Sequence, residues 1–347
     1  MKVSRRDFFK LIATAGVALA IETYKSEIAE ALDQVSSGER HVIWLQGAGC
    51  TGCTISLLQS AHPDLVEAIT RFRLSIDFHP TIMIEAGEEA IDKLIEAIVG
   101  KEPLDILIVE GAVPKDYYCM VGELNGKPVP FEYWVKRLGS VAKNVVAVGT
   151  CASFGGIPHG NPNPTGARPV SEVLPTKTVI NLPGCPAHPD WMLVTIFSVL
   201  KGYKLELDEL NRPKLFYGIK IHDHCPRRQY FDNGIFAEEF GESGCLVRLG
   251  CRGPITPTDC PYRRWNNGVS WCIGDNAPCV GCCHPSFPDP PTSPFYNELV
   301  PVELPPPPKK PAGIDPRILA GIFGGIAAVG AAAAYKSAET LEEKKSK

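Results

Sequence analysis

Residues 41–53 read HVIWLQGAGCTGC, an apolar run that ends in a glycine-rich loop carrying two cysteines. An unbroken apolar run of this length predicts a strand that is buried on both faces. Similar strand patterns lie at 72–79, 104–109, 144–148 and 178–182, and helical patterns lie between and after them at 54–61, 88–99, 133–142 and 189–200. Because strand and helix alternate at this spacing, the sequence predicts an α/β fold with a parallel sheet.

Cysteines follow three of these predicted strands. Cys50 and Cys53 follow the first strand, Cys151 follows the strand at 144–148, and Cys185 follows the strand at 178–182. The carboxyl ends of parallel strands meet at one edge of a sheet, where such folds bind ligands. We therefore expect these four thiols to lie together.

The other cysteines are concentrated in the second half of the chain. Eight of the thirteen lie between Cys225 and Cys283, where glycine and proline are frequent and only residues 229–240 have a helical pattern. Such a segment is short of an apolar core, and metal sites can supply the missing folding energy. Cys119 and Cys283 fit no set of ligands and are interpreted as packing residues, with Cys283 as an alternative ligand.

The spacing of the cysteines distinguishes between metals. Iron–sulfur clusters are held by four cysteine thiolates, with an occasional histidine, whereas zinc ribbons use two C-x-x-C pairs. Here each set combines close ligands with distant single cysteines, which does not fit the zinc pattern. The first set is Cys50, Cys53, Cys151 and Cys185; the second is His222 or His224 with Cys225, Cys245 and Cys251; the third is Cys260, Cys272, Cys279 and Cys282. The spacing to Cys225 favours His222 over His224.

The first residues have the pattern of a twin-arginine export signal. Residues 4–10 read SRRDFFK, and a short apolar run follows at 11–21. This pattern predicts a signal segment over 1–31, with candidate cleavage sites at 29–31 and 18–20. The twin-arginine route exports folded proteins, often with a cofactor inside, so it favours metal clusters over the alternative of a disulfide-stapled secreted protein.

The last residues predict a linker and an anchor. Residues 288–316 are rich in proline, which indicates an extended linker. Within 317–347, the stretch 318–335 has 18 uncharged, mostly apolar residues, close to the ~20 that span a bilayer. We expect a C-terminal anchor in the lipid bilayer; the alternative is a soluble helix docked on a partner.

Composition excludes one class of function. The 347 residues suggest roughly two domains, and the formal net charge of −4 is close to balance. A nucleic-acid-binding protein usually carries a basic patch, so no nucleic-acid partner is expected.

Taken together, these motifs resemble the small subunit of nickel–iron hydrogenases, over roughly residues 41–288 and the leader. The most specific matches are the segments CTGC at 50–53, GTCA at 149–152, PGCP at 183–186, H-x-x-CPR at 222–227, LGCRGP at 249–254 and PCVGC at 278–282.

The resemblance implies a flavodoxin-like domain over 40–205 and a loop-rich cluster domain over 206–287. It assigns a proximal four-iron cluster to the first set, a distal four-iron cluster to the second set with His222, and a medial cluster to Cys260, Cys279 and Cys282. The nickel–iron centre belongs to a partner large subunit. This chain would relay electrons to a membrane cytochrome or a quinone-reducing subunit.

Departures from the family pattern carry further expectations. Many relatives have proline where this chain has Cys272, which predicts a four-iron medial cluster at lower potential in place of a three-iron one; the alternative is that Cys272 is a buried free thiol. Oxygen-tolerant relatives carry extra cysteines at the positions of Gly52 and Gly156, so an ordinary proximal cluster is expected. Gly49 stands where many relatives have glutamate, which excludes a proton path through that carboxylate.

A second redox function stays open on sequence alone. The quinone-reducing respiratory complexes use a related proximal domain, so the chain could be an iron–sulfur subunit of another redox complex. Their subunit has adjacent cysteines in the first loop, whereas Cys50 and Cys53 are separated by two residues. Those relatives also lack the cysteine-rich second half.

Overall fold

A computed structural model of the chain describes residues 39–289. Five of its strands form one parallel sheet: β1 (Arg40–Gln46), β2 (Leu74–Phe78), β3 (Ile106–Glu110), β6 (Asn144–Val148) and β7 (Val179–Leu182). The strand order is β2-β1-β3-β6-β7. This is the order of flavodoxin-like folds, so the predicted α/β class is confirmed.

Helices connect the strands and lie on both faces of the sheet. They are α1 (Gly52–Leu58), α2 (Leu65–Phe72), α3 (Gly87–Ile98), α4 (Phe131–Val141), α5 (Gly149–Phe154), α6 (Gly156–His159), α7 (Val170–Val173) and α8 (Pro189–Leu200). The sequence prediction missed α2, which starts where the Asp64 side chain accepts a hydrogen bond of 2.8 Å from the Glu67 amide.

A small antiparallel hairpin was also missed. It joins β4 (Met120–Leu124) to β5 (Lys127–Pro130) through Asn125 and Gly126, whose φ angles are 53° and 71°. Two positive φ angles match the turn that asparagine–glycine pairs favour between antiparallel strands, so the signal was present in the sequence.

Alternation along the strands builds two hydrophobic layers. On β1, Val42 and Trp44 belong to one buried cluster, with α2 and α8, whereas Ile43 and Leu45 belong to the other, with α3 and α4. Successive side chains of a strand point to opposite faces, so a sheet covered on both faces needs apolar residues at every position. All five residues of β3 are buried.

The second half has little regular structure, as its composition predicts. Its short elements are α9 (Lys214–Tyr217), α10 (Arg228–Asp232), α11 (Cys260–Arg263) and 3-10 turns at Ile221–His224 and Leu246–Leu249. A further 3-10 turn, Asp116–Tyr118, precedes β4.

The helix predicted over 229–240 is too long. Helix α10 ends at Asp232, and Gly234 then takes a φ of 70°, which turns the chain away from the helix axis. The Ala237 amide donates 3.1 Å to the Cys245 carbonyl. The chain therefore gives up helical hydrogen bonds to place a cysteine.

One hydrophobic cluster extends from the sheet into the second half. Trp191 on α8 lies in the same cluster as Phe216, Leu246 and Trp271. The loops of the second half thus share the core of the first, which explains how a segment with few helices stays folded. The predicted boundary between residues 205 and 206 stays a prediction.

Several predicted segments lie outside the described residues. These are the signal at 1–31, nearly all of the linker at 288–316, and the anchor at 317–347. Within 39–289, no helix combines the length and the hydropathy needed to cross a bilayer.

Leu107 tests the importance of the sheet core. It is fully buried in β3, so Leu107→Ala leaves a cavity and should lower the free energy of unfolding by about 2–5 kcal/mol. Val99→Ala is the control, because Val99 is 70% exposed and its truncation should change stability by less than about 0.5 kcal/mol. Denaturant unfolding of both variants measures the difference; equal losses would contradict this view of the core.

Candidate metal centres

The first set of cysteines meets at one edge of the sheet, as predicted. Cys50 is exposed just before α1, Cys53 lies in the first turn of α1, Cys151 lies in α5, and Cys185 lies in the loop after β7. A negative charge on Cys151 or Cys185 raises the pKa of Cys53, and charges on Cys151 and Cys50 raise that of Cys185. The four sulfurs are therefore close neighbours across three chain segments.

Glycines give these thiols room. A Cβ at Gly149, whose φ is +83°, would lie 2.5 Å from the Cys53 sulfur. At Gly156 a Cβ would lie 2.9 Å from the Cys151 sulfur, and at Gly52 it would lie 3.0 Å from the Cys50 sulfur. Gly52 and Gly156 are the positions where the family resemblance placed the extra cysteines of oxygen-tolerant relatives, and both lie against the first set.

Burial keeps the thiols of Cys53, Cys151 and Cys185 protonated in the absence of a cation. It raises the pKa of Cys151 to about 11 and that of Cys185 to about 12, and it raises the pKa of Cys53 well above its usual value. Each thiolate would also repel the next. A soft, positively charged metal group removes both penalties, since it neutralises the thiolates as they form.

Glu110 lies directly beneath the first set, at the end of β3. Its Oε1 accepts hydrogen bonds from the backbone amides of Cys53 (3.0 Å) and Thr54 (3.1 Å). Its Oε2 accepts from the Trp44 indole (2.9 Å), the Gln46 amide (3.2 Å) and the Thr54 hydroxyl. The side chain therefore caps the start of α1 from inside the protein.

The third set lies deeper in the chain. Cys260 and Cys279 are buried, Cys282 is half-buried, and Cys272 is exposed. A charge on Cys282 raises the pKa of each of the other three thiols, which places all four around one position. The exposure of Cys272 does not fit the alternative of a buried free thiol.

Sequence reasoning missed the polar side chains that hold the third set. The Thr258 hydroxyl lies 3.6 Å from the Cys260 sulfur, and the Trp265 indole also donates to that sulfur. The Thr150 hydroxyl donates to the Cys282 carbonyl and accepts from the Gly184 amide at 2.9 Å. Thr150 lies directly before Cys151, and this position in the sequence was the signal that could have pointed to its role.

The third set touches both of the others. The pKa of Cys282 is lowered to about 7, chiefly by the Cys283 thiol and also by the backbone N–H of Cys185 in the first set. On the other side, the Cys279 amide donates 3.4 Å to the sulfur of Cys251 in the second set. The spatial order is therefore first, third, second.

The second set brings three thiols together. Charges on Cys225 and Cys245 raise the pKa of Cys251, although burial is the larger cause. His222 lies alongside, because its amide donates 3.1 Å to the Gly253 carbonyl two residues after Cys251. The His222 ring packs edge-on against Phe231, with centroids 4.7 Å apart.

The His224 side chain points away from the second set. Its ring is exposed and contacts the Tyr262 hydroxyl. Burial lowers the pKa of His222, which keeps its imidazole neutral and able to bind a metal. The geometry thus favours the same histidine as the spacing does.

Arginines near these sets make structural contacts. Arg263 is half-buried and pairs with Asp259 (2.7 Å) and Asp190 (2.9 Å). Arg227 donates to the Gly244 carbonyl at 2.8 Å. Of the two unassigned cysteines, Cys119 packs at the edge of the α3–α4 layer and Cys283 is fully buried in the other cluster.

The donor set fits iron–sulfur clusters better than single ions. All thirteen cysteines are free thiols, so none is used in a disulfide. Within residues 39–289, no three histidine, cysteine or acidic side chains converge on one metal-ion position. Cluster ligands bind different iron atoms of one cluster, so their sulfurs lie farther apart than the ligands of one ion.

Two family models match the chain. Residues 50–199 match "NADH ubiquinone oxidoreductase, 20 Kd subunit", and residues 217–296 match the model of the C-terminal part of the NiFe/NiFeSe hydrogenase small subunit. The first covers the other four strands of the sheet after β1 and the first set, and the second covers the other two sets. The two matches correspond to the two redox families that the sequence suggests, the hydrogenase small subunits and the subunits of quinone-reducing complexes.

Relatives match both halves at once. The small subunit of the periplasmic NiFeSe hydrogenase of Desulfomicrobium baculatum is 41% identical over 316 residues, covering 85% of this chain and 99% of that protein. The uptake hydrogenase small subunit of Afipia carboxidovorans is 36% identical over 351 residues, covering 98% of this chain and 93% of the relative.

A solved structure has the same fold. The crystal structure of a reduced, active form of the D. baculatum NiFeSe hydrogenase is 42% identical, with a TM-score of 0.69 over 73% of this chain and 97% of that chain. The chain therefore belongs to the family of nickel–iron hydrogenase small subunits, the electron-transfer partners of a large subunit that carries the catalytic centre.

Proposed function

We propose that this chain holds three iron–sulfur clusters that conduct electrons away from the nickel–iron centre of its partner subunit. The proximal cluster is bound by Cys50, Cys53, Cys151 and Cys185, the medial by Cys260, Cys272, Cys279 and Cys282, and the distal by His222, Cys225, Cys245 and Cys251. The observation that supports this most strongly is the contact of the medial set with both of the others. When bound, each cluster accepts and releases one electron at a time.

In this proposal the protein itself holds neighbouring clusters close together and surrounds them with buried side chains. The contact of Cys185 with Cys282 brings the proximal and medial sites together, and the contact of Cys279 with Cys251 does the same for the medial and distal sites. Buried aromatic side chains, Trp191 and Trp271 among them, share a hydrophobic cluster with Cys260 and Cys279 of the medial site. Two electrons from each dihydrogen molecule would pass in the order proximal, medial, distal.

The proximal end faces the partner subunit in this proposal. Cys50 is exposed, and next to it helix α1 presents the apolar side chains of Ile55 and Leu58, which are 51% and 44% exposed. Exposed apolar side chains beside a redox site suit a permanent protein partner. The large subunit would cover them and place its metal centre near Cys50.

The distal end faces the electron acceptor. His222 is half-buried and its neighbours Asp223 and His224 are exposed, so this set lies near solvent. A neutral imidazole ligand raises a cluster's potential relative to a thiolate, which suits the last carrier of a relay. The export signal at 1–31 and the anchor at 317–347 would place this end at the outer face of the membrane, next to a cytochrome or a quinone-reducing subunit.

Location outside the cytoplasm also agrees with the relatives. The D. baculatum protein is named as periplasmic. An extracytoplasmic enzyme with a membrane tail favours uptake of dihydrogen over its production.

Iron content and visible absorption of the purified heterodimer test the proposal. We expect iron–sulfur absorption that bleaches on reduction, and three separately titrating clusters. A pale, iron-free protein with oxidised cysteines would refute it.

Cys272 decides the type of medial cluster. With Cys272 as the fourth ligand, the native enzyme should show no three-iron EPR signal after mild oxidation. Cys272→Pro should create that signal, because it removes one thiolate and its iron. Cys119→Ser is the control, since Cys119 belongs to none of the sets and packs at the edge of the α3–α4 layer. A three-iron signal in the native enzyme would contradict the assignment.

Gly149 tests the packing of the proximal site. Gly149→Ala places a methyl group 2.5 Å from the Cys53 sulfur at a φ of +83°, so we expect loss of proximal iron. Gly126→Ala is the matched control, with a φ of +71° and no atom within 4 Å of the new Cβ. Both variants carry backbone strain of about 1–2 kcal/mol, so equal iron loss would show that strain, and not the sulfur contact, is the cause.

A further inference from the structure

Glu110 is a buried acid that electron relay does not by itself require. Its side chain is at the carboxyl end of β3, between the segments that carry Cys53 and Cys151, and the residue is only 4% exposed. Buried carboxyl groups are costly unless hydrogen bonds stabilise them. The question is therefore what its charge does at this edge of the sheet.

The hydrogen bonds around Glu110 are of the kind that stabilises a carboxylate. Five groups point at its two oxygens: two backbone amides, an indole, a side-chain amide and a hydroxyl. Four of them are N–H groups, which can only donate, so the geometry favours the charged form of the side chain. Its negative charge is held inside the protein, directly under the helix that carries Cys53.

Neighbouring side chains complete this pattern. The Thr54 hydroxyl donates to Glu110 and accepts from the Gln46 amide at 2.8 Å. His79 has Nε2 at 3.4 Å from the same hydroxyl, and its Nδ1 accepts from the Thr81 amide at 3.2 Å. A neutral ring with its proton on Nε2 satisfies both contacts, and burial lowers the pKa of His79 in the same direction.

No cation takes part in this network. Among residues 39–289, all five donors to Glu110 are neutral groups. The carboxylate charge is therefore stabilised by dipoles but not cancelled. Its field reaches the first set, since it opposes negative charge on both Cys53 and Cys151.

A cluster gains one negative charge when it is reduced, so the same field opposes its reduction. Glu110 also engages the amides of Cys53 and Thr54, which are then unavailable to donate to the cluster or its thiolates. Hydrogen bonds to cluster sulfurs tune the potential, so both effects make the reduced form less stable.

We propose that Glu110 is a positioning residue that lowers the reduction potential of the proximal cluster through its buried charge and its hold on the Cys53 and Thr54 amides. This inference rests on the proposed function. A proximal cluster at lower potential passes its electron to the medial cluster more readily and accepts one from the partner's metal centre less readily, so Glu110 sets how the driving force is divided between these two steps.

Redox titration of the full heterodimer, followed by EPR, tests the inference. The proximal signal is the one that Cys50→Ser removes. Glu110→Gln keeps the shape but removes the charge, so the proximal midpoint potential should become more positive, while the medial and distal potentials stay unchanged. Asp105→Asn is the matched control, because Asp105 is equally buried just before the opposite end of β3 and should shift nothing.

A second variant covers the case in which Glu110→Gln does not assemble its cluster. The swap Gln46→Glu with Glu110→Gln keeps one carboxylate in the network but takes it away from the Cys53 amide, and again a more positive potential is expected. An unchanged potential in an assembled variant would overturn the inference, as would loss of the proximal cluster in both variants. A native enzyme without the proximal signal would instead overturn the proposed function.

Discussion

The constraint on which this structure depends is that a folded protein must place many cysteine sulfurs close to one another. The twelve proposed ligands are eleven thiols and one imidazole in three neighbouring groups, and burial makes the ionised form of almost every thiol unfavourable. Metal clusters would resolve this conflict, since positive iron compensates the thiolates that hold it. Among residues 206–289 the loops of the second half have few helices and no sheet, and they share the core of α8.

The parallel sheet brings the cysteines of the first set together. Strands β1, β6 and β7 end at one edge, and each delivers a cysteine there. The glycines at positions 149 and 156 follow from the same need, because larger side chains would collide with sulfur or with its backbone. In the second half no sheet exists among the described residues, and threonine hydroxyls, an indole and backbone amides place the cysteines instead.

The sequence predicted those features that depend on local periodicity and on the spacing of residues. The five strands of the sheet, the long helices α3 and α8, and the grouping of the cysteines all follow from local patterns. The helix predicted over 229–240 stops early because Gly234 and the pairing of Ala237 with Cys245 override a local helical pattern. The hydrogen-bond donors around Glu110 were out of reach of local patterns, since they come from β1 and α1, more than fifty residues away in the chain.

The segment from Cys279 to Cys282 has a wider consequence. One end of this four-residue stretch touches the second set and the other end touches the first. In the proposed relay, this one short loop therefore sets both distances between neighbouring clusters. Inserting or deleting one residue there would alter two tunnelling distances at once, so the length of this loop is far less free to vary than that of other surface turns.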